Sequence, residues 1–261
     1  MIALMLAAGV GRRLYGGTDD APPKVLLEFG GETLLARHIE ALLACGISRL
    51  VLVLGHRGDE ILDRARALAP HGYVVAHHNP RYREAPMISL AAGLEVLTGA
   101  EDVLLMDADV LYHPRLIALL AGSTGPACLP FDRSFEPGDE PVKVCLRDGV
   151  PVDFGKQVGA AYDTVGEWPG FVRLSAPVAR TVAARVEEYM AYEPIEATYE
   201  EALRDVLIAS PPGTFVPLDV TGIPWVEIDF PEDVERARLE IMPAIRAFTL
   251  GSAVPGQTRN R

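Results

Sequence analysis

Cysteine is scarce in this sequence, and the three that occur lie far apart, at Cys45, Cys128 and Cys145. Their number is odd, each has apolar neighbours, and no C-x-x-C pair is found. The sequence therefore predicts neither a disulfide framework nor a zinc site, and this use of cysteine is typical of a reducing compartment.

Long apolar runs are also lacking. The opening stretch MIALMLAAG has no basic segment and is too short for a signal sequence followed by a cleavage site. No run approaches the roughly 20 apolar residues that a helix needs to cross a bilayer. We expect a cytoplasmic protein without a membrane partner.

Positive charge is in short supply, because 24 lysines and arginines face 36 aspartates and glutamates, for a net charge of −12. A nucleic-acid-binding protein would normally present a basic face, so nucleic acid is excluded as the expected partner. A site for an anionic ligand in this chain must create its positive potential locally.

What is present is an alternation of strand and helix patterns through the first half of the chain. Predicted strands are IALML, RLVLVLG, YVVAHH and DVLLMDAD, and predicted helices are TLLARHIEALLACG, RGDEILDRARALA and MISLAAGLEVL. Thr33 is expected to cap the first of these helices and Gly46 to end it. Apolar strands that alternate with helices predict an α/β fold, with a mostly parallel central sheet flanked by helices.

After Pro114 the pattern changes. Asp148-Gly149 lies between two alternating runs and predicts a β-hairpin, which forms an insertion in the fold. Two helices, two strands (FVPLDV and WVEIDF) and a closing helix with Pro231 in its first turn are expected to follow. No repeat or linker divides the chain, so we predict one domain over residues 1–250 and a flexible tail over 251–261.

Small residues follow the first strand, where the stretch comprises Leu6, Ala7, Ala8, Gly9 and Gly11. A dinucleotide fingerprint would need a third glycine where Leu14 stands, and a Walker A loop would need its lysine much nearer than Lys24. What remains is a strand end whose backbone N–H groups can bind phosphate, with Arg13 and Lys24 supplying charge. The alternative is an ordinary strand-to-helix turn with two surface cations.

Carboxylates end two of the apolar strands. Asp107 and Asp109 close DVLLMDAD, and Asp229 follows WVEI. Ligands gather at the carboxyl ends of strands in open α/β sheets, and Mg²⁺ prefers carboxylate and phosphate oxygens. We predict that Asp109 and Asp229 share a Mg²⁺ ion, with Asp107 as a further candidate ligand. The alternatives are turn-capping roles for the first pair and a helix cap for Asp229.

Taken together, several motifs resemble those of the nucleotidyltransferases, the sugar-phosphate and alcohol-phosphate pyrophosphorylases, whose Rossmann-like fold is related to type A glycosyltransferases. The motifs are LAAGVGRR with the downstream PPKVLLEFGGETLL, GISRLVLVLGHRGDEI, HNPRYREAPMISLAAGLE, VLLMDADVLYHP, GEWPGFVRLS and WVEIDFPEDVERA. The W-x-E-I-D ending is most similar to bacterial cytidylyltransferases of phosphocholine, inositol phosphate or aminoalkylphosphonates. The resemblance implies Mg²⁺-dependent transfer of CMP from CTP to a small phosphorylated or phosphonate acceptor, with release of pyrophosphate.

The resemblance also implies roles for individual residues. Arg13, Lys24 and Lys156 are the expected catalytic cations. Asn79, Tyr82, Ser89 and Asp107 join the residues after the first strand as nucleotide contacts. The acceptor side is expected to hold Lys156, Glu167, Trp168, Gly170 and Glu200. A tryptophan face beside a carboxylate suits an ammonium group. The alternatives are a solvated Lys156, a core Trp168 and a Glu200 that only complements a helix dipole.

Three other functions are alternatives to this interpretation. A sugar-1-phosphate nucleotidyltransferase that uses UTP, dTTP or GTP stays open, since Arg12 and Met87 depart from the family pattern. A non-catalytic nucleotide sensor on the same fold also stays open. A nicotinamide-dependent oxidoreductase is disfavoured, because Gly55 and His56 stand where an acidic residue would bind the ribose. A homodimer is compatible with the preferred interpretation.

Overall fold

In a computed structural model, which describes residues 1–16, 18, 20–136 and 138–248, strands and helices alternate along the chain. The strands are β1 (Ile2–Ala7), β2 (Glu28–Phe29), β3 (Glu32–Thr33), β4 (Arg49–Leu54), β5 (Val74–His78), β6 (Val103–Asp107), β7 (Val110–Tyr112), β8 (Ala127–Phe131), β9 (Lys143–Arg147), β10 (Val150–Gly155), β11 (Thr164–Glu167), β12 (Phe171–Leu174), β13 (Phe215–Asp219) and β14 (Trp225–Glu227). The predicted tail over 251–261 lies outside the described residues.

The helices are α1 (Arg12–Tyr15), α2 (Leu34–Ala44), α3 (Gly58–Leu68), α4 (Pro86–Ala92), α5 (Leu94–Leu97), α6 (Arg115–Ala121), α7 (Ala176–Met190), α8 (Tyr199–Ala209), α9 (Pro231–Arg236) and α10 (Met242–Ala247). A 3₁₀ turn covers Lys24–Leu26, and a π-helical turn over Ala237–Ile241 joins α9 to α10. In the described part of the chain, no helix is both long and apolar enough to cross a membrane.

Seven strands form the main sheet, in the order β13-β8-β12-β6-β1-β4-β5. β1 runs parallel to β4 and β6, and β5 and β13 are parallel to their neighbours, whereas β12 is antiparallel to both β6 and β8. The predicted mostly parallel sheet is therefore confirmed. Because β1, β4 and β6 share one direction, their carboxyl ends meet at one edge, where Leu6 pairs with Asp107.

Helices cover both faces of the sheet, which explains why its central strands are largely apolar. In β1, Leu4 packs into the core on the side of α4, α7 and α8, while the adjacent Met5 packs on the side of α2, α3 and α6. Successive side chains of a strand point to opposite faces, so a strand covered on both sides has no position for a polar residue.

Local signals correctly placed the cap of α2 and the hairpin turn. Thr33 caps α2 through its Oγ1, which accepts a hydrogen bond from the Ala36 N–H at 3.1 Å. Asp148 and Gly149 both adopt positive φ, at 52° and 76°, as a two-residue hairpin turn requires. The single helix expected over MISLAAGLEVL is divided at Gly93 into α4 and α5.

Candidate active site

The turn after β1 forms the floor of a small cavity. This cavity is lined by Leu6, Ala7, Gly9, Gly11, Pro23, Lys24, Val25, Ala108 and Asp109. Gly11 has a φ of +64°, and a Cβ there would lie 2.9 Å from the Tyr15 ring, so the tight turn requires glycine. The structure thus brings the predicted phosphate-binding stretch, the distant Lys24 and the predicted metal ligand Asp109 to one place.

Three carboxylates meet beside this cavity. One ligand oxygen each from Asp109, Glu227 and Asp229 lies within 4.8 Å of the other two. They converge because β14 pairs antiparallel with β7, which sets Glu227 opposite Val110, and because the Ile228 N–H donates to the Asp109 carbonyl at 2.9 Å. Glu227 was not predicted as a site residue, although it stands two positions before Asp229, the spacing that drew attention to Asp107 and Asp109.

Lys24 bridges two of these carboxylates. Its Nζ donates to Asp109 Oδ2 at 2.9 Å and to Asp229 Oδ1 at 2.7 Å. Burial alone would lower the pKa of Lys24, but the two aspartates raise it above its ordinary value. The ammonium group is therefore charged, and it occupies the space between the two aspartates.

Two further cations extend this network. Arg13 donates to Asp229 Oδ2 at 2.7 Å and to Glu140 Oε2 at 2.8 Å. Lys156 donates to the same Glu140 oxygen at 3.0 Å. All three predicted catalytic cations therefore converge on one strongly acidic site.

The carboxylates differ in their electrostatics. Burial raises the pKa of Glu227 well above its ordinary value, and the nearby Asp109 and Asp229 raise it further. Burial also acts to raise the pKa of Asp229, but Lys24, together with Arg13 and Lys156, outweighs burial and the net shift is downward. A divalent cation would favour the ionised form of all three groups, and carboxylate oxygens are its preferred ligands. The three residues therefore fit a Mg²⁺ ion.

Asp107 lies outside this group of three. Its Oδ2 accepts a hydrogen bond from the Tyr199 hydroxyl at 2.6 Å. Burial, together with Asp109 and Glu200, raises the pKa of Asp107 well above its ordinary value. Gly170 makes room for this carboxylate, since a Cβ at Gly170 would lie 2.9 Å from Asp107 Oδ2.

Three of the predicted nucleotide contacts lie beyond the carboxyl end of β5, where Asn79 and Tyr82 follow the strand and Ser89 lies on α4. Asn79 is buried, and its Nδ2 donates to Ser89 Oγ at 3.1 Å while its backbone N–H donates to the Leu54 carbonyl at 2.7 Å. Tyr82 packs against Gly55, where a Cβ would lie 2.4 Å from the tyrosine Cβ. Gly55 thus allows the segment after β5 to approach the strand end closely.

Two of the carboxylates, Glu227 and Asp229, also border a larger cavity of about 390 Å³. It is lined by Arg13, Glu227 and Asp229 and by four of the five predicted acceptor residues, namely Lys156, Glu167, Trp168 and Glu200. The Trp168 indole is 3% exposed and packs between Phe154 and Tyr199, with ring centroids 5.2 and 6.2 Å away. This packing matches the alternative of a core tryptophan.

Helix α2 supports the backbone between Asp107 and Asp109. His38 is fully buried, with Nε2 3.0 Å from the Ala108 carbonyl oxygen and Nδ1 2.9 Å from the Tyr112 hydroxyl. A carbonyl can only accept, so Nε2 carries the proton and Nδ1 accepts from the tyrosine. His38, which no sequence motif marks, therefore fixes the backbone between Asp107 and Asp109.

The stability of the protein should depend on pH through His38. Burial lowers the pKa of His38 to about 4 from its ordinary 6.5. The unfolded chain therefore binds a proton first, and the free energy of unfolding falls as the pH drops from 6.5 to 4, by up to about 3 kcal/mol. In His38→Gln this part of the decline should be missing from urea denaturation curves. His71→Gln, at an exposed histidine, is the control. An unchanged pH slope in His38→Gln would contradict the assignment.

Known proteins share parts of this sequence. A model of the MobA-like NTP transferase domain matches residues 3–149. The chain is 30% identical over 236 residues to the bifunctional IPC transferase and DIPP synthase of Rubrobacter xylanophilus, covering 89% of this chain and 50% of that protein. It is 27% identical over 250 residues to the CMP-5'-(3-aminopropyl)phosphonate synthase of Streptomyces rubellomurinus, covering 92% and 39% respectively. The chain thus spans half or less of these curated relatives.

Two solved structures share the fold across most of their length. The inositol-1-phosphate CTP transferase from T. maritima aligns with a TM-score of 0.71 at 21% identity, covering 97% of this chain and 98% of that one. The CTP:phosphocholine cytidylyltransferase from Streptococcus pneumoniae aligns with a TM-score of 0.70 at 20% identity, covering 90% and 96%. The Rossmann-like nucleotidyltransferase fold that the motifs implied is therefore confirmed.

Proposed function

Since the chain belongs to the MobA-like NTP transferase family, we propose that it transfers CMP from CTP to a small phosphorylated or phosphonate acceptor and releases pyrophosphate. The observation that carries the proposal is the convergence of Lys24, Asp109, Glu227 and Asp229 between a cavity at the β1 strand end and an acceptor-sized pocket. The name of the Streptomyces relative, a CMP-phosphonate synthase, supports the choice of cytosine and of this acceptor class.

The proposed reaction joins two anions. An oxygen of the acceptor phosphate or phosphonate forms a bond to the α-phosphorus of CTP, the bond from that phosphorus to the β-phosphate oxygen breaks, and pyrophosphate leaves. Charge repulsion and misalignment dominate such a barrier, so catalysis comes from positioning and electrostatic stabilisation. The backbone after β1, with Lys24 and Arg13, would hold the triphosphate, and Lys156 would hold the acceptor phosphate.

Asp109, Glu227 and Asp229 would hold Mg²⁺, which supplies charge neutralisation and orientation at the α-phosphate when bound. Lys24 donates to two of the same carboxylates in this structure, so an ion bound there would compete with the ammonium group for them. Released from the two aspartates, Lys24 would be free to donate to phosphate oxygens of the triphosphate.

CTP with Mg²⁺ should stabilise the protein more than any other common triphosphate. At a hundredfold excess over Kd, linkage raises the unfolding midpoint by about 5 °C or more. Thermal unfolding with CTP, UTP, dTTP, GTP and ATP, each with and without Mg²⁺, measures this ranking. A larger shift with UTP, dTTP or GTP would contradict the assignment of CTP and would favour a sugar-1-phosphate nucleotidyltransferase. Binding of CTP without pyrophosphate release across a panel of phosphorylated acceptors would favour a nucleotide sensor.

A further inference from the structure

The larger pocket is lined by many more carboxyl groups than cations, which a phosphorylated acceptor alone does not explain. Among its lining residues are nine carboxyl groups and three cations. Two of the cations, Arg13 and Lys156, are already paired with Asp229 and Glu140. A Mg²⁺ ion at the cluster would offset Asp229 and Glu227, but Glu167 and Glu200 also line the pocket, and the third cation, Arg236, does not keep the pKa of Glu167 from rising. An acceptor that brings a positive charge would balance these two carboxyl groups.

Glu200 marks the place where such a charge would bind. Its Oε2 atom is buried and has no hydrogen-bond partner among the described residues, although the side chain lines the pocket. A buried carboxylate oxygen without a donor is costly, and burial raises the pKa of Glu200 above its ordinary value. The pocket therefore presents an acceptor atom that a ligand N–H can satisfy.

Glu167 lines the same pocket as Glu200. The rings of Trp168 and Tyr199 pack with their centroids 6.2 Å apart, and each ring belongs to the chain neighbour of one of the two glutamates. The polar atoms of both rings are engaged elsewhere, since Trp168 Nε1 donates to the Phe171 carbonyl at 2.6 Å and the Tyr199 hydroxyl donates to Asp107. Burial, with Asp132 nearby, raises the pKa of Glu167 to about 7. The two glutamates thus line one pocket, and a cation bound there would stabilise the ionised form of both.

We propose that the acceptor carries a primary ammonium group besides its phosphate or phosphonate, and that Glu200 and Glu167 bind this ammonium. The inference rests on the transfer function proposed above and names the substrate class of that same site. Lys156 lies in the same pocket and would bind the phosphate end. A short aminoalkyl chain then spans the two ends.

The structure favours a primary ammonium over the two nearest alternatives. A quaternary ammonium has no N–H to give Glu200 Oε2, and it is bound best by an open aromatic face, whereas the Trp168 ring is 3% exposed between Phe154 and Tyr199. A polyol can donate a hydrogen bond from a hydroxyl, but it brings no charge to an acidic pocket.

Three acceptors with a common two-carbon chain test the proposal. They are 2-aminoethyl phosphate, its trimethylammonium analogue phosphocholine, and 2-hydroxyethyl phosphate. Binding to the full chain with Mg²⁺ is measured by calorimetry, and transfer is measured by pyrophosphate release with CTP. We expect 2-aminoethyl phosphate to bind at least about tenfold more tightly than either of the other two acceptors. Its ammonium group can form a charge-assisted hydrogen bond, whose free energy corresponds to such a factor.

Variants then locate the ammonium site. Glu200→Gln and Glu167→Gln should each reduce the preference for 2-aminoethyl phosphate over 2-hydroxyethyl phosphate by about tenfold. Glu201→Gln, at the exposed neighbour on α8, should leave the preference unchanged. Glu200→Asp is a second variant, which keeps the charge but shortens the side chain by one methylene. The ranking of the three acceptors is measured on the unaltered protein and therefore does not depend on the folding of any variant.

The outcomes separate this inference from the proposed function. Equal binding of the three acceptors, or an unchanged preference in folded Glu200→Gln, would overturn the ammonium site. Pyrophosphate release that is fastest with 2-hydroxyethyl phosphate would overturn it too, while leaving nucleotidyl transfer intact. Tight binding of 2-aminoethyl phosphate that is lost in Glu200→Gln, without pyrophosphate release, would support the ammonium site and overturn the transfer function.

Discussion

Replacing Asp109 or Asp229 by asparagine is expected to reduce the rate of pyrophosphate release by about a thousandfold, because each would remove a charged ligand of the proposed Mg²⁺ ion. The two carboxylates and Glu227 lie within 4.8 Å of one another and would act as one unit. The double variant should therefore lose little more activity than either single variant. Steady-state release of pyrophosphate at saturating CTP and acceptor measures these rates.

A matched control and a direct metal measurement make this prediction specific. Asp63→Asn removes a carboxylate at an exposed position of α3 and should leave the rate unchanged. Mn²⁺ binding, followed by electron paramagnetic resonance, should weaken in Asp109→Asn and Asp229→Asn but not in the control. Full activity in either folded variant, or losses that multiply in the double variant, would contradict a shared ion.

Lys24→Met should reduce turnover by roughly a hundredfold to a thousandfold, which is the effect of removing one preorganised electrostatic group from a transition state. The same variant should bind Mn²⁺ about tenfold more tightly in the absence of nucleotide. This second effect arises because Nζ lies 2.9 and 2.7 Å from oxygens of Asp109 and Asp229 and competes with the ion for them.

Lys24→Arg is the control, because it keeps a positive charge beside the two aspartates. Its affinity for Mn²⁺ should stay close to that of the unaltered protein. Thermal unfolding in the presence of Mg²⁺ checks that Lys24→Met is folded, since the ion replaces the lost counter-charge. An unchanged pyrophosphate-release rate would remove Lys24 from the mechanism, and an unchanged Mn²⁺ affinity would refute the competition.

Asp109 and Asp229 show how much of the candidate active site could be predicted from the sequence. Asp109 and Asp229 each follow an apolar strand, and the carboxyl ends of such strands converge in α/β sheets, so their meeting could be predicted. Glu227 could not be distinguished from an outward-facing residue of an alternating strand. Its place beside Asp109 depends on the antiparallel pairing of β14 with β7, whose strand pattern had not been recognised.

For the residues around the larger pocket, the tertiary structure decided more than the sequence did. The motif around Trp168 indicated which segment lines the pocket, yet the sequence left open whether the indole faces a ligand or the core. Packing decided this, because Phe154 and Tyr199, which are distant in the chain, cover the ring. The same part of the fold placed Glu167 and Glu200 in the lining of one pocket, where one buried oxygen of Glu200 has no donor among the described residues.

By itself, the sequence determined most of the order of strands and helices, the cap at Thr33, the hairpin at Asp148-Gly149 and the run of small residues at the first strand end, because these depend on neighbours within a few residues. Only the tertiary structure decided that Glu227 rather than Asp107 completes the carboxylate cluster, that His38 fixes the loop between Asp107 and Asp109, and that Lys24 bridges Asp109 and Asp229. Each of these contacts joins segments far apart in the chain, and long-range pairing and packing leave no local pattern from which they could be inferred.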